Sequence, residues 1–563
     1  MAGKRTYRNE ALNPSPTDRL EPIRVEGVLA GLVTGQLLIP RPVLGVEHEH
    51  NIAVRLPNNV RGAPDDIGID ALLGAATECG ARPARGARSS ANFGACDRNR
   101  LVFPGPQGMP IQFYDDLSKF EQVFGEFTSA RRLLAVREAL LPSVRRIIAR
   151  ANEQLAEQFG ADPQLLVHLS GGDGDSTCAT LHLNIPWANE VAHAAYVSLE
   201  AFHHLQETLA RQLAIMTSVA ATGMPGEHQL LAEPRSTSFG RIIGFSTLEP
   251  HRAMQFNRLQ GRAQEGYEQE GCGRNMQMVA AWGQSQVGNF LTATLNQLET
   301  LRLHLVVTGL YSSSCLLRDR DNLLTLAARL ATDRVRAAEL MRRTLDDYHH
   351  LTAFLVANLG ESVMEELVPD YQEALSRTDT VLTAIEGDDQ DTLVKTNDYA
   401  KKEFLVDQFL AGRGGGWESN LPGIRNICFA FASPQEVSPY FDYFRRGGLE
   451  EWILSDTDVE QAGPDPLTRS YFYAEVVRRF WDDPLIDLVE FDWDRLTLRQ
   501  SVVVSGGWVP RINLKETSVL VPRSVGHHRE ATGPVFDRHI HSLQDVFDVF
   551  GTSTPHTTAA THA

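Results

Sequence analysis

The run Gly45-Val46-Glu47-His48-Glu49-His50-Asn51-Ile52 sets two carboxylates two residues apart inside a β-branched and apolar stretch, Val43 to Leu56. Successive side chains of an extended strand alternate faces, so Glu47 and Glu49 share one side and His48 and His50 the other. Like charges that close repel, and a cation between them removes the penalty; a hard divalent ion such as Mg²⁺ is the simplest functional explanation. The plainer alternative is a solvated edge strand. A zinc site on the histidine side would need a third ligand, and no HExxH or His/Cys cluster supplies one.

The chain has 563 residues, enough for a large core and for two to four domains, or for one large α+β domain with a smaller appendage. A formal net charge of -18 argues against nucleic acid or an anionic membrane as the main partner, since either usually demands a basic face. Cysteines at 79, 96, 178, 272, 315 and 428 form no CxxC pair, which points to a reducing, cytoplasmic setting. The most apolar N-terminal stretch, Gly27 to Ile39, is too short to span a bilayer, and no signal peptide or membrane span is expected.

Residues 1–22 read as a loose arm, followed by strands over Ile23 to Val33 and Val43 to Leu56 with a turn at Ile39-Pro40-Arg41-Pro42. Residues 57–100, rich in Gly, Ala, Arg and Asp, read as a lid-like loop insertion with one helical stretch near Ile69 to Thr77. Ile111 to Tyr114 and Leu165 to Leu169 read as strands, and a further strand runs from Ala179 to Ile185. Helical periodicity covers Ser129 to Gln158 and residues 187–221, 286–310, 319–359 and 363–385, so the middle of the chain is helical bulk around a sheet. A catalytic domain is expected over 23–410. The glycine-rich break at Gly412 to Gly416 precedes a smaller C-terminal domain, 417–525, and residues 526–563 form a partly disordered tail.

Three more groups carry possible chemistry. Asp115, Asp116, Glu121 and Glu126 form an acidic series after a strand, which in isolation is more often a solvated turn. Backbone N–H groups of the loop Gly171-Gly172-Asp173-Gly174-Asp175-Ser176 could approach phosphate oxygens, and His182 and Asn184 share a strand face just after it. Arg262 and Arg274 stand in a segment short of apolar anchors and suit carboxylate or phosphate recognition, although most arginines are solvated cations.

Taken in order, these elements resemble the Pup ligase and Pup deamidase/depupylase family, which is built on the glutamine-synthetase fold. Gly45 to Ile52 resembles the family's opening G-[TI]-E-x-E-[YF]-G strand, and Lys119 to Glu126 its H-P-E-Y-x-x-x-E stretch. His182-Leu183-Asn184-Ile185 falls at H-E-N-Y, Ala210 to Leu213 at the x-R-Q-[LV] helix, and Lys402 to Phe409 at a helix of the C-terminal part. Thr468-Arg469-Ser470-Tyr471-Phe472 and Arg478-Arg479-Phe480 are similar to T-R-A-Y-F and R-R-F of the deamidase branch. Where the family reads R-L-H-V-I-V-G-D-S-N, this chain has Arg274-Asn275-Met276-Gln277-Met278-Val279-Ala280-Ala281-Trp282-Gly283, with a thioether at a hard-metal ligand position.

The resemblance implies an α+β fold with a glutamine-synthetase-like antiparallel sheet packed by long helices, and a Pup-like protein modifier or its conjugates as partner. It implies Mg²⁺ at Glu47, Glu49, Glu121, Glu126 and His182, and ATP with contacts from Gly172, Gly174, Ser176, Asn184 and Arg274. Asp115 or Asp116 would be the catalytic aspartate, and Arg262 would assist. The insertion 57–100 and Tyr471-Phe472 favour hydrolysis of a side-chain amide or isopeptide bond over ligation of a glutamate to lysine through an acyl phosphate. The loss at Met276 favours a third possibility, a catalytically silent binding protein.

Overall fold

The computed structural model describes residues 23–24, 31–34, 37–55, 64–84, 100–115, 119–160, 164–169, 171–172, 178–179, 181–187, 199–233, 241–244, 252–256, 274–280, 283–317, 323–434, 439–483, 486–491, 495–504 and 511–520. The expected arm 1–22 and tail 526–563 lie outside them, as do most of the stretches 57–63 and 85–99.

A ten-stranded sheet forms the centre, in the order Arg241–Gly244, Arg252–Phe256, Arg274–Ala280, Leu181–Trp187, Leu44–Arg55, Phe120–Phe127, Pro110–Asp115, Leu101–Pro104, Arg82–Pro83. Gln164–Leu169 pairs with the second half of Leu44–Arg55 and completes the ten. Every pairing is antiparallel except that of Arg241–Gly244 with Arg252–Phe256. Leu44–Arg55 is long enough to take two partners along one edge, Leu181–Trp187 and then Gln164–Leu169.

The first strand expectation changes. Ile23 to Val33 is not one strand, and Ile39-Pro40 is not a turn: Ile23–Arg24, Gly31–Thr34 and Leu37–Pro40 form a separate antiparallel sheet. In the expected insertion, Pro64–Glu78 is a 15-residue helix whose Ile69, Leu72, Leu73, Ala75 and Ala76 are buried, so alanines supply the face that large apolar residues usually mark. The strands at 486–491, 495–504 and 511–520 form a three-stranded antiparallel sheet.

Among the helices, Ala130–Phe159 is capped by Ser129, whose hydroxyl accepts the N–H of Arg132. The periodic run 319–359 is two helices, because Asp333 leaves helical geometry and caps Arg334–Leu359 by accepting the N–H of Arg336 at 3.0 Å. No helix among the described residues is long and apolar enough to cross a membrane.

The helix Gln286–Val307 has no solvent face: apart from Val307, all its residues are buried, including Asn289, Asn296, Gln297, Glu299 and Arg302. Its polar groups are therefore matched inside the core. Arg302 binds Glu299 at 2.6 Å, Tyr348 donates to Glu299 at 3.1 Å, and Arg211 binds Asp347 at 2.9 Å and Glu207 at 3.1 Å. This ionic cluster joins the helices Leu199–Thr217, Gln286–Val307 and Arg334–Leu359. Removing one member strands a buried charge, at about 3–5 kcal/mol.

The N-terminus of the same helix is held by two carboxylates. Asp398 accepts the N–H groups of Gln284 and Ser285, Glu450 accepts that of Gln286 at 2.9 Å, and Lys401 binds Glu450 at 2.6 Å. A Cβ on Gly283 would overlap Asp398 Oδ2. Gly283→Ala is expected to push Asp398 off both amides and cost about 2–4 kcal/mol, read as a fall in Tm by calorimetry.

His48 lies on the packed side of the sheet, 1% exposed, its ring centroid 4.4 Å from that of His50. Burial, then the proximity of His50 and Arg137, drives its pKa well below the ordinary value of 6.5. The folded chain therefore holds it neutral while the unfolded chain protonates near 6.5, so its share of stability is present above that pH and lost as pH falls. Replacing His48 with Leu is expected to reduce the slope of unfolding free energy between pH 6.5 and pH 5 by up to about 1.4 kcal/mol per unit, measured by urea titration.

Candidate functional site

The sheet's register decides which residues of the acidic motifs share a face. Directly opposed residues of an antiparallel ladder project to the same side. Glu49 stands opposite Glu121 and Glu47 opposite Val123, while on its other edge the position of His182 pairs with Glu47 and that of Asn184 with Gly45. Three adjacent strands thus bring Glu47, Glu49, Glu121 and the position of His182 into one phase.

Glu126 joins them by an irregularity. It lies five residues from Glu121, an odd separation that in a regular strand puts it on the opposite face. The ladder slips here: from Gly45 to Glu47 is two residues, while their partners Glu126 and Val123 are three apart. The extra residue in Phe120–Phe127 is a β-bulge, and it returns Glu126 to the phase of Glu121. The acidic series is accordingly not a solvated turn at these two positions, since Glu121 and Glu126 are 2% and 6% exposed.

Glu49 is equally buried at 3%, and Glu47 is half-buried. Lys119 reaches into the group, its Nζ 3.1 Å from Glu49 Oε2. Farther along the face, Arg100 stacks its guanidinium 4.7 Å from the Tyr114 ring centre and donates to Gln112 at 2.9 Å. Tyr114 is opposite Glu121 and Gln112 opposite Val123, so Arg100 belongs to the carboxylate side. Sequence reasoning missed both cations. Lys119 was visible only as the first residue of the stretch ending at Glu126, and Arg100 as the end of a loop.

The remaining candidates separate. Asp115 ends its strand opposite Phe120, one step out of phase with Tyr114 and Glu121, and is half-buried. Gly172 lies in a two-residue pairing of Gly171–Gly172 with Cys178–Ala179. The position of Arg274 pairs with Trp187 and that of Met276 with Ile185, both out of phase with His182 and Asn184; the in-phase neighbours are Val279 and Gln277. Position 276 therefore does not stand in the carboxylate row. Asp116, Gly174, Ser176 and Arg262 lie outside the described residues.

The frame of the site is tied to the buried helix. Gln297 donates through Nε2 to the carbonyls of Pro42 at 2.8 Å and Thr128 at 2.7 Å, one just before the strand of Glu47 and Glu49 and one just after the strand of Glu121 and Glu126. Asp465 accepts the backbone N–H and the hydroxyl of Thr128, both at 2.7 Å.

Carboxylate oxygens are the donors a hard divalent cation prefers, so the donor type and the shared phase suit Mg²⁺. Among the described residues no three His, Cys, Asp or Glu side chains yet converge on one point, and an ion would displace Lys119 from Glu49. Lys119→Ala leaves the Glu49 carboxylate buried without that cation. It is expected to lower Tm in EDTA by the equivalent of about 1–3 kcal/mol and to regain stability with millimolar Mg²⁺, while the wild type responds less; thermal melts in both buffers measure this.

No family profile matches the sequence, and no curated protein matches it. Among solved structures, the Pup ligase PafA in complex with the prokaryotic ubiquitin-like protein Pup superposes with a TM-score of 0.61 at 14% identity, over 91% of this chain and 92% of that one. PafA in complex with ADP gives 0.55 at 13% identity, over 88% and 96%. The fold of these ligases is thus the fold of this chain across almost its whole length.

Proposed function

We propose that this chain is a distant member of the Pup ligase and deamidase family that performs nucleotide- and Mg²⁺-dependent acyl chemistry on a Pup-like protein tail. The observation that supports it most is the single phase shared by Glu47, Glu49, Glu121, Glu126 and the position of His182, within a fold shared end to end with a ligase solved with ADP and with Pup. A random acidic surface has no reason to spend a β-bulge on aligning its fourth carboxylate.

In this reading Glu47, Glu49, Glu121, Glu126 and His182 hold the ion, and the glycine segment from Gly172 to Gly174 with Ser176 and Asn184 faces the nucleotide. The bound magnesium nucleotide supplies concentrated positive charge and, in a ligase, a transferable phosphoryl group. Arg100 joins Arg262 as a candidate for phosphate or carboxylate contact, in place of Arg274, whose position is out of phase with the row of His182. Of the aspartate pair, Asp115 is out of phase with the carboxylate row, which leaves Asp116 as the general base in this reading.

The preferred reaction is hydrolysis, favoured by the long segment 57–100 and by Tyr471-Phe472. Asp116 takes a proton from water, the water oxygen bonds to the side-chain carbonyl carbon, the C–N bond breaks, and the departing nitrogen takes that proton from Asp116 to leave as ammonia or a lysine amine. Ligation would use the same pocket differently: the γ-phosphoryl group of ATP would pass to the glutamate carboxylate, and a lysine amine, losing its proton to the aspartate, would attack that carbon and expel phosphate.

Saturable Mg²⁺-dependent ATP binding is expected in the wild type by calorimetry, weakened on the order of tenfold or more in Glu47→Ala. Absence of binding in both proteins would turn the reading to a binding protein. Mass analysis of Gln-ended and Glu-ended Pup-like peptides then sets the direction: a gain of about 1 Da on the Gln-ended peptide marks deamidation, and an ATP-dependent joined product from the Glu-ended peptide marks ligation.

A further inference from the structure

The β-bulge that phases Glu126 leaves the strand's own hydrogen-bond ladder irregular, and such a kink persists only where other groups satisfy the backbone. At Glu126 those groups come from the far end of the sequence. Its N–H donates to Ser470 Oγ, and its carbonyl accepts from Thr468 Oγ1 at 2.9 Å. Both hydroxyl residues are 3% exposed, so water does not compete. Thr468 is also the N-cap of the helix Arg469–Phe480, and its hydroxyl accepts the N–H of Ser470, which fixes the two side chains relative to each other.

The neighbouring residue must be glycine for this approach. A Cβ on Gly125 would overlap the Ser470 hydroxyl and crowd Met109. Two residues on, Asp465 takes both donors of Thr128, so the strand's exit is held from the same segment.

We infer that Thr468 and Ser470 are positioning residues for the carboxylate site: acting through the Glu126 backbone, they hold the bulge that turns Glu126 toward Glu121, Glu49 and Glu47. This rests on the reading of that face as an ion and nucleotide site. Without the two hydroxyls, a regular ladder is the alternative, and it carries Glu126 to the packed face.

The test uses the full chain with Thr468→Val/Ser470→Ala and, separately, the conservative Thr468→Ser. Hydrogen exchange of the peptide spanning 120–128 reads the bulge, and that of 286–307 reports on global stability. Mn²⁺ titration followed by paramagnetic resonance reads the ion site. The expected result is faster exchange confined to 120–128 and Mn²⁺ affinity lowered on the order of tenfold in the double variant, with Thr468→Ser close to wild type. Unchanged exchange at 120–128, acceleration spread equally to 286–307, or unchanged Mn²⁺ affinity despite a loosened bulge would each overturn the inference. If the wild type itself binds no Mn²⁺, the ion-site reading and the positioning role for it fail together, while local acceleration would still assign the bulge to the two hydroxyls.

Discussion

The side-chain amide of Gln297 is the bond on which the arrangement turns. A helix buried on every side cannot be amphipathic, so each polar group it carries must find a partner in the core. Gln297 does so by gripping the carbonyls of Pro42 and Thr128, which flank two different strands, Leu44–Arg55 and Phe120–Phe127. Because those strands bear the two pairs of glutamates, the relative offset of the carboxylates is set from beneath by an apparently inert helix. The cluster of Arg211, Arg302, Glu207, Glu299 and Asp347 performs the same service for the helix itself, locking its angle to its neighbours. Such buried ions add little net stability compared with apolar packing, and specificity of arrangement is what they offer here.

The two faces of the strand Leu44–Arg55 show how one period-2 pattern meets two demands. Leu44, Val46, His48, His50 and Ile52 are buried against the helical side, and burial holds His48 neutral there. On the opposite face Glu49 is paired with Lys119 at 3.1 Å. The lysine offsets one of the face's four carboxylates when no ion is present, and it would compete with an ion.

Much of this architecture was readable in advance where the signal is local. Alternation identified the strand of Glu47 and Glu49, and helical spacing found Ala130–Phe159 and Gln286–Val307 to within a few residues. The misreadings have physical causes. Apolar periodicity runs through Asp333 without a break, although the side chain there ends one helix and caps the next. Glu121 and Glu126 looked like a turn because their phase depends on a bulge, and the groups bonded to that bulge sit at 468 and 470. Register is likewise invisible to spacing: whether Arg274 and Met276 or Asn275 and Gln277 join the row of His182 is decided by a one-residue offset between strands.

The span of chain between Glu126 and Ser470, 344 residues, also sets a timetable. At ordinary ribosomal speeds of about 5–20 residues per second, roughly 20–70 s separate the emergence of the glutamate from that of the hydroxyl bonded to it. Through that interval the growing chain carries its first strands with one edge contact missing and a cluster of like charges unfinished. Early strands with uncovered edges are the ones most exposed to wrong partners, so the newborn chain stays vulnerable at this edge until the segment bearing Thr468 and Ser470 arrives.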